Sequence, residues 1–483
     1  MEQAFSLNSI GNENNLWFNG NDACQRQEGG IMDRILCLLI YVLASLAQLG
    51  RFSNDYEEWR EGKKIKILLA GYNGARNTGS DVRVVAIVEQ LKSLFKEQAE
   101  ITVMTMDEES LTGYFGDDVK LLRFSSLFPF DLFKACSSHH VTILVEGSTL
   151  KSTFANALTL FLCEAAGVTT HQGKPCIAYG SEVGKMEMFL SQAAKRLCRK
   201  TYFVTRTKNS LDQLRKLGLQ GHNGTDTAWI YDKAISSEEA ECLLKKQGWD
   251  GKMPLLGIAV INPFCWPVRA SLWKWIKGHF QDDLPGQYDK WYFFSDSPER
   301  RKAYHCYIDE IAKGVNAFLV ENEFFPVVVG MERLDEKACK EVRQKLNAGS
   351  AMFLSRDTSG NIMTGILRKL SLLVTSRYHA SVLSMESGCP IVAVSMDERL
   401  DGIMQETNLE DYLLKVSDHE LGRKIQETLS RCWKEKESIH ELIQQRLPQY
   451  KKTLDEMGVF LKRYIQESLS KAQFDIIHNV CLL

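Results

Sequence analysis

The heptapeptide "TSRYHAS" sets a guanidinium, Arg377, two residues before an imidazole, His379, at the point where the apolar run "SLLVTS" ends. An arginine can hold a phosphate or carboxylate through two parallel hydrogen bonds. A histidine can move a proton near neutral pH. The following residues "RYHASVLSMES" read as a helix closed by Gly388 and Pro390, so both side chains sit at a helix N-terminus. The positive end of the helix dipole disfavours a cation there unless an anion is near. Arg377, His379 and the adjoining Ser376 are therefore candidate anion ligands, and His379 is also a candidate acid. The alternative is an exposed arginine beside a histidine satisfied in the core.

Other chemistry-bearing residues fall at similar junctions. In "LLAGYNGARNTGSDVRV", Gly71, Asn73, Gly74, Asn77, Gly79 and Asp81 lie between a strand and a helix. Glycines let a ligand approach the backbone, and the helix start offers free N–H groups. The spacing fits neither a dinucleotide fingerprint nor a P-loop. In "ILVEGSTLK", Glu146 follows a buried run, and it reads either as a general base or as the partner of Lys151. "YGSEVG" adds Glu182 as a second candidate base, with Asp397 a third, and "VTRTKNS" adds Arg206 as a further anion ligand. Taken singly, each could be no more than a helix cap.

The elements that position these residues follow a repeated pattern. "IKILLAG" and "VTILVEG" read as buried strands, and "SDVRVVAIVEQLKSLFKE" as the helix after the first. Strands alternating with helices predict parallel sheets covered on both faces. The pattern pauses after Tyr231 and restarts at Leu255. The predicted fold is α/β, with two Rossmann-like domains facing across a cleft in the GT-B manner and a C-terminal helical tail. The boundaries read as a disordered N-terminus plus apolar helix over 1–62, a first domain over 63–235, a second over 236–417 and the tail over 418–483. Ligands of open α/β sheets bind beyond the carboxyl ends of the strands, which is where the residues above fall.

Composition narrows the classes. A formal net charge of -2 leaves no basic excess for a nucleic-acid backbone. The 13 cysteines lack any CxxC pairing, so they read as reduced and buried, the protein as cytoplasmic, and a metal site is not expected. The apolar run Ile35 to Ala47 is about 13 residues, short of the ~20 that span a bilayer. From Met32 it has the layout of a signal peptide ending near Ala47, but the cysteine usage favours a helix packed on the fold or lying in a membrane interface. Peripheral membrane contact through 32–50 is the corresponding expectation. Met32 as an alternative start would remove 1–31.

"GYNGARNTGSDVRV", "FVTRTKNSLDQLRKLGL", "TDTAW" and "TSRYHASVLSMESGCPIVAVSMDERL", in this order, resemble the polysaccharide pyruvyl transferase family. The resemblance implies a GT-B-like fold and transfer of the carbon skeleton of phosphoenolpyruvate to a sugar hydroxyl as a pyruvate ketal. The sugar would belong to a cell-surface polysaccharide or its precursor, including a lipid-linked glycan. Phosphoenolpyruvate is then a co-substrate and no cofactor is expected. It places Arg377 and His379 on phosphoenolpyruvate and the Gly71–Asp81 loop on the acceptor side. The chain departs from the family in having "VEGST" where a triple-glycine turn is common. A GT-B glycosyltransferase or epimerase using a nucleotide sugar, and an idle sugar-binding protein, are the competing readings.

Overall fold

The computed structural model describes residues 21–49, 55–125, 128–270 and 292–480, except the side chains at 21–29, 269–270, 292–293 and 472–480. The first sheet holds β1 (Ile65–Ala70), β2 (Ala99–Thr105), β3 (Val119–Arg123), β4 (Val141–Leu144), β5 (Cys176–Ser181), β6 (Tyr202–Thr205) and β7 (Gln220–Asn223). Their spatial order is 3-2-1-4-5-6-7, all parallel. The chain reverses its direction of winding between β1 and β4, and a crevice opens there at the strand ends.

Its helices are α1 (Asn21–Leu46), α2 (Thr78–Phe95), α3 (Phe128–Ser137), α4 (Asn156–His171), α5 (Met188–Leu197) and α6 (Lys208–Lys216). α2 is rich in β-branched residues of low helix propensity, yet it is helical because Val82, Val84, Val85, Ile87 and Val88 are all buried. Burial of such side chains is worth about 1.5–3 kcal/mol each, which outweighs the propensity cost. α1 begins at Asn21, so 21–30, expected to lack structure, is helical. The apolar segment after Met32 nucleates a helix, and extension adds one hydrogen bond per residue fixed. The expectation for residues 1–20 lies outside the described residues.

After the helix Ser237–Lys246 the second sheet is built from β8 (Leu255–Ala259), β11 (Phe325–Gly330), β12 (Ala351–Leu354), β13 (Leu372–Thr375), β14 (Ile391–Ser395) and β15 (Leu413–Lys415), in the order 12-11-8-13-14-15, all parallel. β9 (Arg269–Ala270) and β10 (Tyr292–Phe293) form a separate antiparallel pair.

The C-terminal helices Leu421–Lys434 and Lys436–Val480 return from the second sheet to the first. His440 lies against Gly388 near the start of the long helix. Further along, Tyr450 stacks on Trp229 at 4.5 Å and the Tyr464 hydroxyl donates to the Cys176 carbonyl. The C-terminal segment thus ties the two halves together.

Candidate functional site

Two conformational requirements form the first wall. Gly74 has φ +74, and a Cβ there would lie 2.1 Å from Thr105 Oγ1 and 2.6 Å from the Asp107 carbonyl oxygen. Only glycine satisfies both the left-handed backbone and the close approach. The loop then ends at Asn77, whose side chain caps α2 by accepting from Ser80 N at 3.2 Å. Asn73 is buried and donates to the Met104 carbonyl, so its amide fixes the loop.

The second domain meets this loop directly. Thr78 N donates to the Met331 carbonyl at 2.8 Å, and Asn77 forms an isolated bridge with Glu332. A Cβ on Gly79 would lie 2.0 Å from His379 Nδ1. The glycine loop therefore faces the helix Tyr378–Met385 at contact distance, with the imidazole lying on the Gly79 backbone. His379 Nε2 points the other way, 3.5 Å from Asp226 Oδ2 in the first domain.

Behind His379 runs a chain of buried charges. Asp226 Oδ1 accepts from Ala228 N at 2.9 Å and pairs with Arg83 Nε at 3.2 Å, while Oδ2 accepts from Arg206 Nη1 at 2.9 Å. Arg83 also donates to the carbonyls of Val145, Tyr179 and Gly180, at the ends of β4 and β5. Arg206 reaches Glu182 with its other nitrogen and lies over the Tyr378 ring, 4.6 Å from its centre. Lys151 pairs with Glu182 at 2.9 Å and, across the interface, with Glu398 at 2.8 Å. The expected partner of Lys151, Glu146, instead accepts from Tyr72 N and Ser148 N and braces two loops.

These contacts set proton affinities. Desolvation lowers the His379 imidazole to about 4, against the opposing pull of Asp226. Burial alone would raise Asp226, but Arg83, His379 and Arg206 outweigh it and hold the carboxyl well below the usual range. Glu182 is likewise lowered, because Arg206 and Lys151 overcome its burial. A carboxylate held by two cations is a weak base, which counts against Glu182 in that role. Asp397 is also lowered against its burial, by Arg399 and Lys151.

Arg377 is half-buried, at 2.9 Å from Glu332 and 3.1 Å from Asp335. The helix N-terminus does hold a cation next to an anion, but Glu332 and Asp335 supply that anion from within the chain. Ser376 turns inward: its hydroxyl accepts from Ile261 N and bonds the Tyr307 hydroxyl. A bound donor anion would have to share Arg377 with those carboxylates.

Asp81 differs from Asp226, Glu182 and Asp397. It is buried in the first turn of α2, and its Oδ1 has no hydrogen-bond partner. Burial raises its carboxyl to about 7, against the lowering influence of Arg76 and the Gly74 backbone. In the unfolded chain the group titrates near 3.8, so the folded state prefers the protonated form and loses that preference as pH rises through about 7. Asp81→Asn, which keeps the shape and removes the charge, should leave stability unchanged below pH 4. It should raise stability increasingly toward pH 8, by an amount bounded at roughly 4 kcal/mol. Urea denaturation of both proteins across that range measures it, and a constant difference would remove Asp81 as a titrating group.

Residues 77–398 match the family model described as polysaccharide pyruvyl transferase. The match runs from the α2 cap through β8 and β13 to Glu398; it takes in Gly79, His379 and the buried charges Arg83, Lys151, Glu182, Arg206 and Asp226, and begins after Gly74. Among solved structures, HepE of Anabaena in complex with UDP-glucose is similar at 12% identity. The alignment covers 84% of this chain and 100% of that one, with a TM-score of 0.53. UDP-GlcNAc 2-epimerase from Neisseria meningitidis, bound to UDP-GlcNAc, is similar at 8% identity over 79% of this chain and 94% of that one, with a TM-score of 0.50. At such identities the likeness concerns the fold alone. No match is found among curated proteins.

Two parallel-sheet domains meeting at a shared cleft define a protein of the GT-B architecture. Within it, the chain belongs to the polysaccharide pyruvyl transferase family, a family of transferases. Arg83 is the site residue that sequence reading passed over. Asp226 lies within the quoted segment "TDTAW" but carries no role there that spacing reveals.

Proposed function

We propose that this protein transfers the carbon skeleton of phosphoenolpyruvate to a sugar as a pyruvate ketal. The carrying observation is the seating of His379 between Gly79 of one domain and Asp226, within a segment that matches the family throughout. In the reaction, one sugar hydroxyl adds to C2 of the donor as the methylene carbon takes a proton and becomes a methyl group. A second hydroxyl then displaces phosphate, closing the ketal. Of the two hydroxyl protons, one balances that taken by carbon and one leaves with phosphate, so the sequence needs no redox partner.

In this reading His379 delivers the proton to carbon. Arg377 supplies positive charge for the donor's phosphate and carboxylate, whereas Arg206, expected as an anion ligand, is buried and already holds Asp226 and Glu182. Asp81, expected only as an acceptor-side residue, has the proton affinity suited to a base that exchanges near neutrality. Glu146 holds loop backbone, and Glu182 is held by two cations. The acceptor is a sugar of a cell-surface polysaccharide or its precursor, met on the Gly71–Asp81 side. The described cysteines are free and most are buried, which supports a reducing, cytoplasmic setting.

A nucleotide-sugar enzyme is the second reading, favoured by the UDP-sugars bound to the two fold neighbours. Incubation with phosphoenolpyruvate and candidate sugars should release phosphate and yield a product heavier by one pyruvyl group. Thermal protection by nucleotide sugars, with none by phosphoenolpyruvate, would transfer the assignment to the second reading.

A further inference from the structure

α1 is apolar on two sides. Its inner face, Cys37, Ile40 and Ala44, is buried against the first domain, where Ala44 abuts Gly167 of α4. Its outer face presents Ile31, Ile35, Leu38, Val42 and Leu46 to solvent, at spacings of three and four that make one continuous stripe. Leu38 is 65% exposed. The neighbouring helices extend the surface, with Phe130 of α3 at 54% and Met188 of α5 at 79% exposure. Isolated exposed apolar residues need no explanation, but a stripe along a whole helix does.

The fully exposed charges on these helices have one sign. On α1, α3 and α5 the exposed charged side chains among the described residues are Arg34, Lys134, Lys195 and Arg196. Of the described acids on these helices, Asp33 is buried and bonded to Asn156, and the partly exposed Asp131 is engaged by the Ser125 backbone N–H and hydroxyl. Arg34 lies 6.0 Å from the centre of the Phe189 ring and Arg196 5.9 Å from that of Tyr41. Both guanidinium groups thus lie over aromatic rings of α1 and α5, Tyr41 and Phe189. This basic rim stands out on a chain whose net charge is -2.

We infer that the outer face of α1, with Phe130 and Met188, docks the protein on an anionic membrane surface. An apolar helix face whose fully exposed charged neighbours on the described parts of these helices are all basic suits the lipid headgroup boundary, where each cation near an anionic leaflet adds about fivefold in affinity. A second copy of the chain is the poorer occupant, because a two-fold contact would set this basic rim against itself. Among the described residues no helix is long and apolar enough to cross a membrane, so the contact is peripheral. α1 also touches the rim of the cleft: Asp33 bonds Asn156, next to Ala155, which bridges to Val268 of the second half. Docking by this face holds that rim near the lipid surface.

The full chain should float with vesicles of phosphatidylcholine and phosphatidylglycerol at low salt, and not with phosphatidylcholine alone. Ile35→Ser with Leu38→Ser should abolish flotation. Arg34→Glu or Arg196→Glu should each weaken it about fivefold or more. All these residues are solvent-facing, so an unchanged melting midpoint certifies the fold. Absence of flotation with anionic vesicles, or flotation unchanged by the double serine variant, overturns the inference. Concentration-dependent dimers that the double variant dissolves, without vesicle binding, would assign the stripe to self-association instead. None of these readouts depends on the reaction proposed above.

Discussion

His379→Gln is expected to lower kcat for ketal formation by about 10²–10⁴-fold while leaving the melting midpoint close to that of the wild type. Glutamine retains a polar side chain of similar reach but cannot deliver a proton. The site tolerates the change because His379 is half-buried, at the interface and not in a domain core. A loss below threefold would remove His379 from the proton transfer.

The same imidazole predicts a pH signature. In the free protein desolvation holds it neutral down to about pH 4. A donor bearing phosphate and carboxylate charges brings negative potential to the imidazole and raises its proton affinity. Binding should therefore take up a proton, and affinity for phosphoenolpyruvate should increase as pH falls from 8 toward 6. Titration calorimetry in buffers of different ionisation enthalpy reads that uptake directly. In His379→Gln the uptake should fall to whatever the donor's own phosphate contributes, which is common to both proteins. Equal uptake in the two proteins would separate His379 from the donor.

Much of this arrangement was legible in the chain because it is local. The strand-to-helix junctions follow from apolar periodicity, and Gly74 and Gly79 stand where backbone must bend or be approached. What escaped is what the sheet order creates. Glu332 and Asp335, which hold Arg377, follow β11, and β8 lies between β11 and β13. Helix electrostatics correctly required an anion beside Arg377, but sequence spacing could not show that the chain supplies one. Arg83 was hidden in the apolar helical run "DVRVVAIVEQ", where an arginine ordinarily reads as an exposed stem. α1 shows the converse: hydropathy located the segment, but only packing shows which side is buried.

Arg83 carries the largest expected loss of stability. Its guanidinium joins the ends of β4 and β5, through the Val145, Tyr179 and Gly180 carbonyls, to Asp226. Arg83→Met would leave those carbonyls short of donors and take one of the cations from a buried carboxylate. Removing one partner of a buried ion pair typically costs 3–5 kcal/mol. Arg206 and His379 still face Asp226, so a loss of about 3 kcal/mol is expected, read as a lower urea midpoint. Arg83→Lys keeps the charge but cannot serve four acceptors from one planar fork, so it should recover only part of the loss. Activity should fall mainly in kcat, since Asp226 loses its alignment with His379 while Arg377 is untouched. A variant within about 0.5 kcal/mol of the wild type, the ordinary range for a surface change, would show that Arg83 does not anchor Asp226.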